Sequence, residues 1–144
     1  MLALGADHGG YELKNCIKEY LLEKGIEVKD FGTNGPESVD YPIYAKIVAE
    51  AVTSGEAEGG ILFCGTGIGI SIAANKIKGI RCAHLSDPYS ARLAKEHNNA
   101  NVIALGGRVT GEELAKDIVD AWLNAKFMGG RHQNRVDIIS ELEK

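Results

Sequence analysis

Five short apolar runs, each followed by a stretch whose apolar residues recur at helical spacing, constrain this chain more than any other feature. Leu2 to Ala6 reads as a buried strand. Leu13, Ile17, Tyr20 and Leu21 then share one helical face, and Gly25 supplies a stop. Ile26 to Phe31 alternates as a half-covered strand does near a sheet edge. A polar loop from Gly32 to Tyr41 leads to Pro42, which suits a first helical turn, and Ile43, Ile47, Val48, Ala51 and Val52 make the next stripe. Ile61-Leu62-Phe63, Ile80 to His84 and Val102 to Leu105 are the remaining runs. Ser86-Asp87-Pro88 starts a helix with Tyr89, Leu93 and His97 along one face, and Asn98-Asn99 ends it. Thr110 and Glu113 stand at capping-box spacing and predict a helix near Gly111 to Lys126. After Gly129-Gly130, Val136, Ile139 and Leu142 predict a short final helix.

Strict strand–helix alternation implies a parallel sheet covered on both faces by right-handed crossovers. No linker, low-complexity tract or repeat divides the 144 residues. The expected fold is one Rossmann-like, three-layer α/β/α domain, with a five-stranded parallel sheet and a C-terminal helical tail. Its ligand belongs outside the carboxyl ends of the strands. A net charge of −4 without a basic stripe argues against nucleic acid as a partner. No apolar stretch is long enough to cross a bilayer. The chain opens in strand-like sequence without a basic leader, and its three cysteines are widely and irregularly spaced. They suit neither a disulfide framework nor a zinc site, so a reducing, cytoplasmic setting without metal is expected.

Three strand ends carry unusual residues: Gly5-Ala6-Asp7-His8-Gly9-Gly10, Cys64-Gly65-Thr66-Gly67-Ile68-Gly69, and Gly106-Gly107-Arg108. Parallel topology puts all three on one rim. Any one of them alone reads as turn chemistry, since glycines serve βα turns and Asp caps helices. Nucleophilic or charged residues at all three make a binding rim the better reading. The central turn is not a dinucleotide fingerprint: it follows the third strand, and Ala73 replaces the last glycine. The Walker pattern fails as well. What remains is a thiol at a strand-to-helix turn, where backbone N–H groups favour a thiolate and can face a small anion. Such a thiolate could act as nucleophile or as base. Cys16 and Cys82 lack that setting and read as core or helix-face residues. His8 could bind an anion or cap, His97 lies near a helix C-terminus that favours its charged form, and His84 reads as structural or rim-lining. Arg131 and Arg135, spaced i and i+4 after two glycines, form a fork for phosphate.

Taken together and in this order, Gly5-x-Asp7-His8-Gly9-Gly10, Asp40-Tyr41-Pro42, Cys64-Gly65-Thr66-Gly67-x-Gly69-x-Ser71 through Lys76, His97-Asn98 and Gly129-Gly130-Arg131-His132-x-x-Arg135 resemble the type B ribose-5-phosphate isomerases. These are relatives of the galactose-6-phosphate isomerase subunits. The resemblance covers essentially the whole chain. It implies aldose–ketose isomerisation through an enediolate, without metal or cofactor. Cys64 would be the base that moves a proton between C2 and C1. His97 would assist furanose opening, and Thr66 with the N–H groups of Gly65, Gly67, Ile68 and Gly69 would stabilise the enediolate. His8, Arg131 and Arg135 would hold the phosphate, with Arg108 and Asn98 as further contacts, while Asp7 and Tyr41 would touch sugar hydroxyls. Relatives with a glutamate base in the loop would carry it at Ile70, so Cys64 has no rival.

Topology adds that the helix starting at Pro88 leaves the active rim and carries His97 to the far side of the sheet. There it can serve a rim site only on another subunit. The expected assembly is a homodimer, or a tetramer built from two dimers, with His97 and Asn98 acting in trans. Competing readings are a 6-phosphate hexose such as allose or galactose 6-phosphate as substrate, and a non-catalytic sugar-phosphate-binding module.

Overall fold

The structure, a computed structural model, describes all 144 residues. Eleven elements follow in order: β1 (Leu2–Ala6), α1 (Tyr11–Glu23), β2 (Val28–Asp30), α2 (Tyr41–Thr53), β3 (Gly59–Cys64), α3 (Ile68–Asn75), β4 (Cys82–His84), α4 (Pro88–Glu96), β5 (Val102–Gly106), α5 (Glu112–Asn124) and α6 (Arg131–Glu141). All strand pairs are parallel, and the sheet order is β2-β1-β3-β5-β4. The expected three-layer fold is present.

The order follows from handedness. Steps from β1 to β2 and from β4 to β5 run one way along the sheet, so α1 and α4 cover one face. Steps from β2 to β3 and from β3 to β4 run the other way, so α2 and α3 cover the opposite face. Packing agrees. One core joins Leu4, Ile61, Phe63, Ile103 and Leu105 to Ile17 and Leu21 of α1, Ala91 of α4 and Ile118 and Trp122 of α5. The other joins Ala3, Leu62 and Ala104 to Val48 of α2 and to Ile70 and Ala74 of α3. Alternate residues along β1, β3 and β5 supply the two cores in turn, as the pleat requires. Direction reverses between β1 and β3, so α1 and α3 leave on opposite faces and a crevice opens above those two strand ends.

Two local expectations change and one holds. The edge strands are shorter than their apolar runs: β2 spans Val28–Asp30 and β4 spans Cys82–His84, because each has a ladder partner on one side only. The capping box does not form. Gly111 is the N-cap of α5 without a side-chain cap bond, while Thr110 is buried and its N–H donates to the Gly106 carbonyl. The Asp87-Pro88 start forms as expected, with the Asp87 carboxylate accepting the Ser90 N–H at 2.7 Å.

Candidate active site

Cys64 is the last residue of β3, and three residues later Gly67, at φ +82°, turns the chain into α3. Only glycine adopts that φ without strain, and a Cβ there would also lie 2.9 Å from the Leu105 carbonyl carbon. The turn brings the Gly67 N–H onto Cys64 Sγ at 3.1 Å, a donor that suits a thiolate. The loop is closed by its own bonds: Ile68 N–H donates to Thr66 Oγ1, and His84 Nε2 donates to the Thr66 carbonyl at 2.8 Å. A carbonyl only accepts, so His84 carries its proton on Nε2. His84 is therefore a prop for the loop.

A cleft of about 410 Å³ opens here, lined by Asp7, Tyr41, Cys64, Gly65, Thr66, Ile68, Gly69 and Arg108. The three strand ends thus converge, as parallel topology demands. Asp7 is buried and accepts the Gly9 N–H at 2.8 Å. Tyr41 lies against α3 so closely that a Cβ on Gly69 would come within 2.6 Å of its ring. Arg108 also borders an adjoining hollow of about 280 Å³ with His8 and Gly107. In that hollow the Val39 N–H donates to His8 Nδ1 at 3.2 Å, which leaves Nε2 to carry the ring proton.

Val39 belongs to a loop tied down by groups that periodicity gave no reason to single out. Lys14, fully buried in α1, donates to both Asp30 oxygens at 2.6 and 2.8 Å and to Asn34 Oδ1 at 2.6 Å. Burial alone would raise the Asp30 carboxyl. The bonds from Lys14 and the Gly32 N–H outweigh that and hold it below the usual carboxylate range. For Lys14 burial dominates and lowers the ammonium's pKa. Nothing in a lysine beside an apolar stripe distinguishes this one from a solvated lysine.

The other two cysteines are poor nucleophiles: burial pushes the Cys82 thiol up to about 12, and burial followed by Glu112 raises Cys16. All three cysteines are free.

His97, Asn98, Arg131 and Arg135 do not join this cleft. His97 is the C-cap of α4, at the end remote from the rim. Asn98 lines a groove with Arg81 and Cys82, at the start of β4, and the Arg81 side chain donates to the Asn98 and Asn99 carbonyls. The Met128 N–H donates to the Glu96 carbonyl, so the connector into α6 crosses the same end of α4. There the rings of His97 and His132 stack, with centroids 4.2 Å apart and planes 8° from parallel. Arg131 and Arg135 stand exposed on the outer side of α6, while His132 and Val136 face inward.

A doubly wound α/β domain, with a thiol beside a glycine turn at its switch point and two exposed arginines one helical turn apart elsewhere on its surface, resembles proteins that act on small phosphorylated molecules. Residues 2–139 match the family described as Ribose/Galactose Isomerase. The chain belongs to that family. It is 57% identical over 143 residues to the ribose-5-phosphate isomerase B of Escherichia coli (strain K12), covering 99% of this chain and 96% of the relative. Among solved structures, ribose-5-phosphate isomerase B from Clostridium thermocellum superposes with a TM-score of 0.98 at 58% identity, covering 99% and 96% of the two chains. The Mycoplasma genitalium enzyme with bound ribulose 5-phosphate superposes at 0.94 and 42% identity, covering 99% and 95%.

Proposed function

We propose that this chain interconverts ribose 5-phosphate and ribulose 5-phosphate, in a reducing cytoplasm and without metal or cofactor. The observation that carries the reading is buried Cys64 in the lining of the rim cleft, its Sγ hydrogen-bonded by the Gly67 N–H, with Asp7, Tyr41 and Arg108 lining the same cleft. The Cys64 thiolate takes the C2 proton of the open aldose. Negative charge develops on O1, and preorganised donors are strongest against charge that appears only then. Gly67 and Ile68 spend their N–H groups inside the loop, which leaves Gly65, Thr66 and Gly69 as donors to that oxygen. The hydroxyl proton passes from O2 to O1, Cys64 returns a proton to C1, and the ketose results. Asp7 and Tyr41 hold the sugar hydroxyls, while His8 and Arg108 sit where the phosphate end reaches the adjoining hollow.

Ring opening needs a proton on the ring oxygen, and one chain's cleft holds no imidazole to supply it. His97, Asn98, Arg131 and Arg135 of a second copy complete the site in this proposal, the arginines closing on the phosphate. Uncovered Ile138 (63% exposed) on α6 and Leu142 (81%) at its C-cap favour a covered, dimeric state. Cys64→Ala and His97→Ala proteins, each inactive, regain up to about a quarter of wild-type activity after subunit exchange, because random pairing gives half heterodimers with one intact site each. No rescue in verified heterodimers refutes the composite site. Full activity of Cys64→Ala alone refutes the base. Turnover compared across pentose and hexose phosphates decides substrate length, and activity that survives a chelator supports the metal-free reaction.

A further inference from the structure

We infer that His132 is the positioning residue for His97, holding that imidazole in place by face-to-face stacking so that it presents its edge, and its proton, outward to a sugar ring. The inference rests on the proposed role of His97 in ring opening and assigns a function to a buried group that the proton-transfer steps leave unused.

His97 is the partly exposed C-cap of α4; its N–H donates to the Leu93 carbonyl, and no hydrogen bond from its side chain fixes the ring. His132 is different: it is the second residue of α6, only 5% exposed, and its helix is pinned one turn later by buried Val136. A buried ring thus lies flat against a partly exposed one at 4.2 Å and 8°. Stacking fixes the plane of His97 and leaves its ring nitrogens, which lie in that plane, free to meet a ligand.

The pair also sorts its proton. Two imidazolium rings at this separation repel, so one ring stays neutral. His132 is that ring: it sits at a helix N-terminus, where positive charge is disfavoured. Burial, His97, Arg131 and Arg135 all push its pKa down. His97 lies at a helix C-terminus, where positive charge is welcome. Stacking on an uncharged partner therefore orients His97 without competing for its proton. The same helix presents Arg131 and Arg135 outward, so one rigid element would set the spacing between the ring-opening group and the phosphate fork.

The test separates ring opening from enolisation. Ribose 5-phosphate must open before reaction, whereas ribulose 5-phosphate has no ring, so deuterium uptake at its C1 in deuterated water reports the thiol step alone. His132→Ala is expected to lose about 10–100-fold in kcat on ribose 5-phosphate, the scale of a misplaced catalytic group, with deuterium uptake within about threefold of wild type. His132→Phe keeps a planar ring against His97 and is expected to recover most of the loss. It also guards against misfolding, since both variants are compared by circular dichroism and sedimentation. His97→Ala must show the same selective loss, and Cys64→Ala must lose both readouts. If the two His132 variants lower both readouts alike, or leave both unchanged while His97→Ala is selective, the positioning role is overturned. If His97→Ala is not selective, the ring-opening assignment itself fails, and the inference with it.

Discussion

Lys14→Met removes one partner of a buried ion pair and leaves the other in place. The Asp30 side chain is only 7% exposed, and Lys14 donates to both of its oxygens, at 2.6 and 2.8 Å. Breaking a buried pair from one side costs about 3–5 kcal/mol, because a charge stays behind without compensation. Two donors remain to Asp30, the Gly32 N–H at 2.8 Å and Lys18 at 3.3 Å. Asn34 Oδ1 loses the Lys14 bond as well. The retained donors place the expected loss near the lower end, about 3 kcal/mol. With a urea slope of about 2 kcal/mol/M, the unfolding midpoint falls by roughly 1.5 M. The double variant Lys14→Met with Asp30→Leu removes the stranded charge and is expected to recover at least half of the loss. The loop that carries Val39 loosens too, so KM for the sugar phosphate rises through His8 while Cys64 stays in place. Urea titrations by circular dichroism, alongside steady-state kinetics, check this. A Lys14→Met midpoint within about 0.5 M of wild type, roughly 1 kcal/mol, refutes the reasoning. So does a double variant less stable than Lys14→Met itself.

Gly69→Ala is expected to separate stability from function. The new Cβ meets the far end of the Tyr41 side chain at 2.6–2.9 Å, and Tyr41 is 38% exposed, so the phenol can swing away cheaply. Within α3 alanine gains roughly 0.5–1 kcal/mol over glycine, so Tm holds or rises while KM rises about tenfold as Tyr41 leaves the cleft. His132 makes folding pH-dependent in a stated direction: its folded pKa lies below the ordinary imidazole value of 6.5. The unfolded chain then binds the proton first, so stability is full above that value and falls as pH drops through the window beneath it. In His132→Phe that segment of the urea-midpoint profile flattens; an unchanged slope means another group carries it.

Helix and strand order, the parallel sheet and the rim that holds Cys64, Asp7 and Arg108 were legible in the sequence, because periodicity and glycine turns are local signals. The far placement of His97 followed from the same logic, since a helix leaving the rim must end at the other side. Strand order was not legible: β5 lies between β3 and β4, and alternation alone does not say which neighbour a strand takes. Nor did Thr110 cap α5, because burial gave its N–H and side chain other surroundings than helix capping offers. Lys14 carries no sequence mark, His84 reads only as structural or rim-lining, and His132 stands only as one member of the glycine–arginine motif. Each draws its role from a partner far along the chain (Asp30, Thr66 and His97 respectively), and such meetings exist only after the sheet has closed and the helices have packed. The chain by itself determined which chemistry stands at the end of β3. Tertiary packing decided what holds that turn in place, and it put His97, Asn98, Arg131 and Arg135 where one copy's own cleft does not reach.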